Sequence, residues 1–205
     1  AKVIKWFDNF EGESHTMLQA GNLTGGGSYP NRHYSFNESR NGFCCDEYGF
    51  NPEWAISANS ITYSWKDGQI YKHEVSGSNY CNFYGVQDDA EITVVFNINR
   101  EEVKYWLSLR ETASATWDCP TIYTDTMSYG TTPQATTLVA AEFTVLEGKP
   151  STSFKRDSNS KGGKINGDFI KGVYLVVKFR KQNASNSISL NEVSASFVDS
   201  PLNQK

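Results

Sequence analysis

The chain has 205 residues, of which 38% are apolar, 20% are charged and 14% are aromatic, and its formal net charge is −4. A chain of this length can bury a core of its own. The negative charge argues against a nucleic acid as partner, because nucleic-acid binding normally requires a basic surface. The sequence has no apolar run of about 18 residues, the length that predicts a membrane-spanning helix, so we expect no membrane partner.

Aromatic residues are the unusual part of the composition, with 12 phenylalanines, 11 tyrosines and 5 tryptophans. Flat rings pack well on a pleated surface and therefore favour strands. They can fill a β core, or they can line a binding face. The first interpretation is the simpler one, because a buried ring needs no partner to explain it.

The first predicted element is a strand over residues 2–7, KVIKWF. Residues 21–41 follow, with several glycines, a proline and many polar side chains. This composition predicts a long surface loop, or an excursion between strands that becomes ordered against a partner.

The clearest pattern lies in residues 60–74, SITYSWKDGQIYKHE, where apolar and polar side chains alternate as in a half-buried strand. Asp67–Gly68 favours a two-residue hairpin turn, since both residues tolerate positive φ. The turn predicts two cross-strand pairs: Trp65 with Ile70, and Tyr63 with Lys72. Residues 79–85, NYCNFYG, read as a second turn flanked by rings.

Residues 91–97, EITVVFN, predict a strand, and Val103, Trp106, Leu107 and Arg110 then follow at helical intervals. We therefore expect one short helix here, capped by Asn99.

Further strands are predicted within residues 136–148, 172–181 and 186–200. In the last of these the apolar residues change from even positions (Ile188, Leu190) to odd positions (Val193, Ala195, Phe197). A β-bulge near Asn191 would explain this change. No strand–helix–strand alternation occurs, so a parallel sheet is not expected. The sequence predicts one all-β domain over residues 1–205, an antiparallel β-sandwich or jelly-roll with at most one or two short helices.

Residues that could carry chemistry are scattered. The three histidines, His15, His33 and His73, have no metal-ligand spacing, and the sequence contains no hydrolase, zinc-protease or phosphate-binding motif. We therefore expect no enzyme activity and no cofactor. A glycosidase carboxylate pair, with Asp88 or Glu91 as candidates, is the weakest of the alternatives, since such pairs meet only through the fold.

Residues 157–168, DSNSKGGKINGD, resemble a calcium loop in the placement of Asp157, Asn159, Gly162 and Asp168. Lys161, however, occupies a position that requires an oxygen ligand. We therefore expect a turn between strands and no metal site.

The four cysteines, Cys44, Cys45, Cys81 and Cys119, lack zinc-site spacing and the density of a disulfide scaffold. We expect them to be reduced.

Several segments from residue 50 onward resemble the carboxy-terminal region of large virion proteins of crAss-like and related bacteriophages of gut bacteria, which are often labelled tail or stabilisation proteins. The segments are WAISANSITYSWKDGQIYKHE, NFYG, EITVVFNINREEVKYWLSL, ATWDCPTIYTDTMSY and FKRDSNSKGGKINGDFIKGVYLVVKFRK. Trp65 to Gly85 is similar to a unit that recurs in those proteins, with Ile70 in place of leucine. The first forty residues carry no resemblance. The matching residues are turn and core residues, so the resemblance implies no catalytic group.

The resemblance implies a non-enzymatic, tail-associated virion protein that forms the C-terminal part of a longer chain. It would be assembled in the bacterial cytoplasm and would contact other virion proteins and copies of itself. The alternative is a carbohydrate-binding β-sandwich for host or gut glycans, with rings as flat platforms for sugars. The candidate interface or binding residues are six aromatic residues, Trp54, Trp65, Tyr71, Tyr80, Phe83 and Tyr84. In the carbohydrate-binding alternative, Trp54, Trp65 or Tyr71 would be the sugar platforms.

Overall fold

The computed structural model describes the backbone of residues 2–8, 13–20, 32–37, 41–46, 50–59, 61–73, 79–125, 133–157 and 167–200, and side chains within these ranges from residue 50 onward. The chain divides into two compact units, residues 1–88 and 89–205. The single domain over residues 1–205 stays a prediction. Among the described residues, no helix has the length and apolar character needed to cross a membrane.

Nine strands are described in the first unit, in three antiparallel sheets. The first sheet has the order β1-β2-β3-β4, the second β5-β6-β7, and the third pairs β8 with β9. The strands are β1 (Lys2–Asp8), β2 (Glu13–Ala20), β3 (Arg32–Asn37), β4 (Gly42–Asp46), β5 (Trp54–Ala58), β6 (Ile61–Lys66), β7 (Gln69–Lys72), β8 (Asn82–Phe83) and β9 (Val86–Gln87).

Strand β1 confirms the predicted first strand. The predicted loop over residues 21–41 is wrong for residues 32–37, which form β3 and pair with β2 and β4. Pairing on both sides holds this polar segment in a sheet in spite of its composition, since β propensity depends on context. Residues 21–31 and 38–40 lie outside the described residues.

The hairpin of β6 and β7 has the predicted register. Trp65 pairs with Ile70 and Tyr63 with Lys72. Asp67 and Gly68 have φ values of 51° and 73°, as a two-residue turn matched to the strand twist requires. The second predicted turn is also present, because Tyr84–Gly85 connects β8 to β9.

The second unit contains nine described strands and one 3-10 helix, Ala140–Glu142. One sheet has the order β10-β17-β12-β13; the other has the order β14-β15-β11-β16, with β18 also paired to β11. The strands are β10 (Ala90–Phe96), β11 (Lys104–Ala113), β12 (Asp118–Thr124), β13 (Ala135–Leu138), β14 (Thr144–Leu146), β15 (Lys149–Ser153), β16 (Lys171–Gly172), β17 (Leu175–Lys181) and β18 (Leu190–Asp199).

The two sheets of this unit share one core. Leu175, Val177 and Phe179 of β17 pack in the same buried cluster as Trp106 and Leu109 of β11. Buried residues recur at alternate positions along β17 and along most of β11, and the two antiparallel sheets bury their apolar faces against each other. This is a β-sandwich, and the prediction of an all-β antiparallel fold is confirmed.

The predicted helix near residues 99–110 is wrong, because Lys104–Ala113 forms strand β11. The cause is a bulge. Trp106 pairs with Phe197 and Ser108 with Ser196, so Leu107 is the extra residue. In a regular strand, residues on the buried face are two positions apart. The extra residue of the bulge places the buried residues Trp106 and Leu109 three positions apart, and this spacing resembles that of a helix.

The predicted bulge in the last strand is confirmed. Thr112 pairs with Glu192 and Ala113 with Leu190, which leaves Asn191 unpaired. Strand β12, which contains Pro120, was not predicted. The register of β12 shifts between Cys119 and Ile122, so the proline lies in an irregularity where no ladder hydrogen bond is required.

Candidate interaction face

Strands β5 and β6 turn their small side chains toward the inner face of the sheet β5-β6-β7 and their large side chains toward its outer face. Ala55, Thr62 and Ser64 are buried, whereas Trp54 and Ile70 are 51% and 64% exposed. Strand alternation fixes this arrangement, since neighbouring residues must lie on opposite faces. The alternating sequence therefore places the large rings of β5 and β6 on the outer face of the sheet and their small side chains on its inner face.

The inner face is closed by a ring cluster, Phe50, Tyr71, His73, Phe83 and Tyr84. The Phe50 ring lies 5.0 Å from the His73 ring and 5.8 Å from the Phe83 ring, between centroids. Tyr71 and Tyr84 meet edge to face at 4.9 Å. These are favoured geometries for aromatic pairs, so the cluster is a small hydrophobic core beneath the hairpin.

One hydroxyl network runs through the ring cluster. Ser64 Oγ lies 2.6 Å from His73 Nε2 and 3.2 Å from the hydroxyl of Tyr84. Burial lowers the pKa of His73 and favours its neutral form. A serine beside a histidine resembles an activated nucleophile, but Ser64 is 0% exposed and cannot reach a substrate. The network therefore satisfies buried polar atoms within a core.

The outer face carries a ladder of apolar residues, which we call the ladder face: Trp54, Ile56, Tyr63, Trp65 and Ile70. Trp54 pairs with Trp65 and Trp65 with Ile70 across three strands. The two indole rings lie 4.8 Å apart with their planes tilted by 39°. Cross-strand contacts of this kind stabilise the sheet and leave much of Trp54 and Ile70 in contact with solvent.

The structure separates the six predicted site residues. Tyr71, Phe83 and Tyr84 belong to the ring cluster, and Trp54 and Trp65 belong to the ladder face. The side chain of Tyr80 is exposed apart from both groups, and its carbonyl oxygen accepts a hydrogen bond from Gln87 Nε2.

Ile56 and Ile70 also lie on the ladder face but were not predicted as site residues. Ile56 lies two positions after Trp54 on the same strand, and Ile70 pairs with Trp65, so both face the same side as the two tryptophans. This alternation was the signal that could have identified them.

The second unit contains a groove on the outer face of its larger sheet, with a volume of about 710 Å³. Its lining is rich in hydroxyl groups from four strands: Ser108, Thr144, Ser151, Thr152, Ser153, Ser194 and Ser196, with Arg110 and Leu146. Arg110 is held by Ser151 Oγ at 3.3 Å and by Glu147 at 3.2 Å. Hydroxyl and guanidinium groups suit a ligand with many hydroxyl groups, such as a saccharide.

Three of the residues considered for metal binding or hydrolysis, Asp157, Asp168 and Glu91, have structural partners. Asp157 Oδ1 accepts a hydrogen bond from the Ala135 amide at 3.0 Å, and Asp168 lies 3.5 Å from Lys171. Glu91 forms an ion pair with Lys178 at 2.7 Å. The described residues contain no cluster of three potential metal ligands. Residues 158–166, most of the calcium-like loop, lie outside the described residues, so the absence of a metal site stays a prediction.

Two cysteines are described with side chains. Cys81 is half-buried and Cys119 is fully buried, and both are thiols in the structure. Burial raises the pKa of Cys119, which keeps it protonated and unreactive. The side chains of Cys44 and Cys45 lie outside the described residues, so the reduced state of all four stays a prediction.

The chain matches no protein-family model and no curated protein sequence.

Proposed function

We propose that this chain is a non-enzymatic, tail-associated structural protein of a bacteriophage virion that acts by protein–protein assembly. The observation that carries the proposal is the ladder face. Monomeric soluble proteins rarely expose contiguous apolar patches larger than a few hundred Å², and larger patches usually mark interaction sites. Trp54, Ile56 and Ile70 place three exposed apolar side chains on one face of a paired sheet, and this supports an interaction site there.

The local chemistry supports assembly rather than turnover. The serine–histidine pair of the hairpin is closed inside the ring cluster, and the carboxylate of Glu91 is paired with Lys178. The large exposed side chains of the ladder face are apolar, and apolar contact is the main driving force of protein association. The proposed partners are other virion proteins and copies of the same chain, within a particle assembled in the bacterial cytoplasm. The resemblance of residues 50–205 to phage tail and stabilisation proteins supports this choice.

The test is incorporation into particles by a phage that carries Ile56→Thr and Ile70→Thr. Both side chains are exposed, and threonine keeps the β-branched shape, so the fold is expected to survive. We expect incorporation to fall at least about tenfold, since a central apolar contact is often worth more than about 1.4 kcal/mol. The matched control is Val86→Thr, which is 61% exposed in the same unit but outside the ladder face. Normal incorporation of the double variant would contradict the proposal.

A carbohydrate-binding module is the second candidate, favoured by the hydroxyl-rich groove and by the exposed ring of Trp54. The 39° tilt between Trp54 and Trp65 counts against a flat sugar platform on the ladder face. A glycan array with the wild-type chain tests this candidate. Binding that is lost in Ser194→Phe, which would fill the groove, and kept in Trp54→Ala would assign the saccharide to the groove. An array without any binding would exclude the candidate for the glycans tested.

A further inference from the structure

Strand β10 forms one edge of the four-stranded sheet in the second unit. It pairs with β17 through seven consecutive residue pairs, from Ala90 with Lys181 to Phe96 with Leu175, without a register shift. Among the described residues, no strand pairs with the other side of β10. An edge of this kind presents a row of backbone groups that can pair with another strand.

The other edges of the two sheets carry features that discourage such pairing. Strands β13 and β14 have only four and three residues. Strand β18 is long, but its pairing with β11 contains two register shifts, and it carries Glu192 and Asp199. Short length, bulges and charges are the usual protections of an edge strand.

Strand β10, AEITVVF, has none of these protections. It contains no proline, glycine or lysine, and its single charge, on Glu91, is neutralised by Lys178 at 2.7 Å. Two of its apolar side chains, Ile92 and Val95, are 48% and 57% exposed, one on each face of the sheet. The edge is therefore long, regular and apolar, in contrast to the remaining edges.

We propose that β10 pairs in antiparallel orientation with β10 of a second copy of this chain, about a two-fold axis at Thr93. This register places Thr93 opposite Thr93, Ile92 opposite Val94, and Glu91 opposite Val95 of the other copy. All seven residues are used, no like charges face each other, and each inward residue meets an inward residue. The two four-stranded sheets become one sheet of eight strands.

The geometry also limits the assembly. A two-fold contact uses the same strand on both copies, so it closes as a dimer and does not propagate into a fibre. Ile92, which is half-exposed at the edge although it shares the inward parity of Val94 and Phe96, gains an apolar neighbour from the second copy. This inference concerns the second unit and does not depend on the ladder face or on incorporation into a virion.

The register is tested by Thr93→Cys in the full chain under mild oxidation. Opposite residues in an antiparallel pair have Cα atoms about 4.5–5.5 Å apart, within the range of a disulfide. We expect a covalent dimer on a non-reducing gel that disappears with reductant. Glu91→Cys is the matched control, since it lies on the same strand and faces Val95 rather than itself; the wild-type chain gives the background of the native cysteines. Equal cross-linking of the two variants would overturn the register.

The pairing itself is tested by sedimentation of the wild type, which we expect to be a dimer. Thr93→Lys places two ammonium groups opposite each other and should raise the dimer Kd at least about tenfold. Val145→Lys, which changes another exposed residue and lies on the short strand β14, should leave the dimer intact. Mixing Thr93→Lys with Thr93→Asp should restore a heterodimer, which a misfolded variant could not do. A wild type that is monomeric at every concentration, or a mixture that does not associate, would overturn the proposal.

Discussion

Lys104 begins strand β11 with a fully buried side chain. Its ammonium group donates hydrogen bonds to the carbonyl oxygens of Asn99 at 2.7 Å, Glu102 at 2.8 Å and Val173 at 2.8 Å. Burial lowers the pKa of Lys104, and the negative charges of Glu102, Asp199 and Asp125 oppose that shift. One cation thus holds the turn before β11 and the segment after β16 in place, which explains why a lysine is buried here.

We expect Lys104→Met to reduce the free energy of unfolding by about 3 kcal/mol or more, because three carbonyl groups lose their donor and each loss costs about 1–3 kcal/mol. Lys155→Met is the control. It removes a surface ion pair with Glu142, and such pairs contribute about 0–1 kcal/mol. Urea denaturation measures both changes. Equal effects of the two substitutions would show that Lys104 is not a structural cation.

His73 makes the stability of the folded protein depend on pH. Burial in the ring cluster lowers its pKa, so the unfolded chain takes up the proton first as the pH falls. Neutral His73 therefore contributes to the free energy of unfolding. This contribution is fully present above about pH 6.5, the pKa of an unperturbed histidine, and is lost as the pH falls from there toward the lowered pKa of the folded state.

We therefore expect the wild type to lose more thermal stability than His73→Gln between about pH 7.5 and about pH 5.5. Glutamine can keep a hydrogen bond to Ser64 and does not titrate. The comparison isolates His73 from His15, His33 and the carboxylates, which both proteins share. Parallel melting-temperature curves for the two proteins would contradict the assignment.

At the scale of elements, strand β16 lies unusually close to the end of strand β12 in the second unit. Gly172 of β16 pairs with Lys104, and a Cβ at this position would lie 2.8 Å from Thr124 Cβ and would also collide with the Asp125 carboxylate. That carboxylate accepts a hydrogen bond from the Val173 amide at 2.6 Å. Glycine is required here for space, since its φ does not lie in the left-handed region.

We expect Gly172→Ala to cost about 3 kcal/mol of unfolding free energy, because the overpacked side chain must displace either backbone or a hydrogen-bonded carboxylate. Gly148→Ala is the matched control. Gly148 has a φ of +77° with no atom within 4 Å of its Cβ position, so only backbone strain of about 1–2 kcal/mol is expected. Thermal denaturation of both variants distinguishes the two mechanisms, and a smaller loss at Gly172 than at Gly148 would contradict the steric argument.

At the scale of the whole molecule, the second unit contains a complete core. Every fully buried residue of its main cluster, from Trp106 to Phe179, lies within residues 89–205. The amide of Asn183 also donates a hydrogen bond to Asp89 at 2.9 Å, which fixes the start of the unit next to the end of β17. A segment with its own core can fold alone.

We expect a fragment of residues 89–205 to fold cooperatively, with a β-type circular dichroism spectrum and dispersed amide signals by NMR. A fragment of residues 97–205 is the control. It lacks β10, which covers one side of β17 and contributes Val94 and Phe96 to the core, so it should be markedly less stable. A disordered 89–205 fragment would show that the unit depends on residues 1–88.

The sequence by itself determined what depends on neighbouring residues. Asp67–Gly68 fixed the register of the β6–β7 hairpin, and the change of apolar parity located the bulge at Asn191. Both are local, since turn geometry and alternation act over a few positions along the chain. The all-β fold followed from the same kind of signal repeated along the sequence.

Only the tertiary structure decided what depends on distant partners. The bulge at Leu107 arises from pairing with β18, about 90 residues later, and it made a strand resemble a helix. Which face of the hairpin is buried was decided by Phe50, Phe83 and Tyr84, which close over Ser64 and leave Trp54 and Ile70 outside. Alternation shows that two faces differ, but burial requires a partner surface, and that surface comes from other parts of the chain.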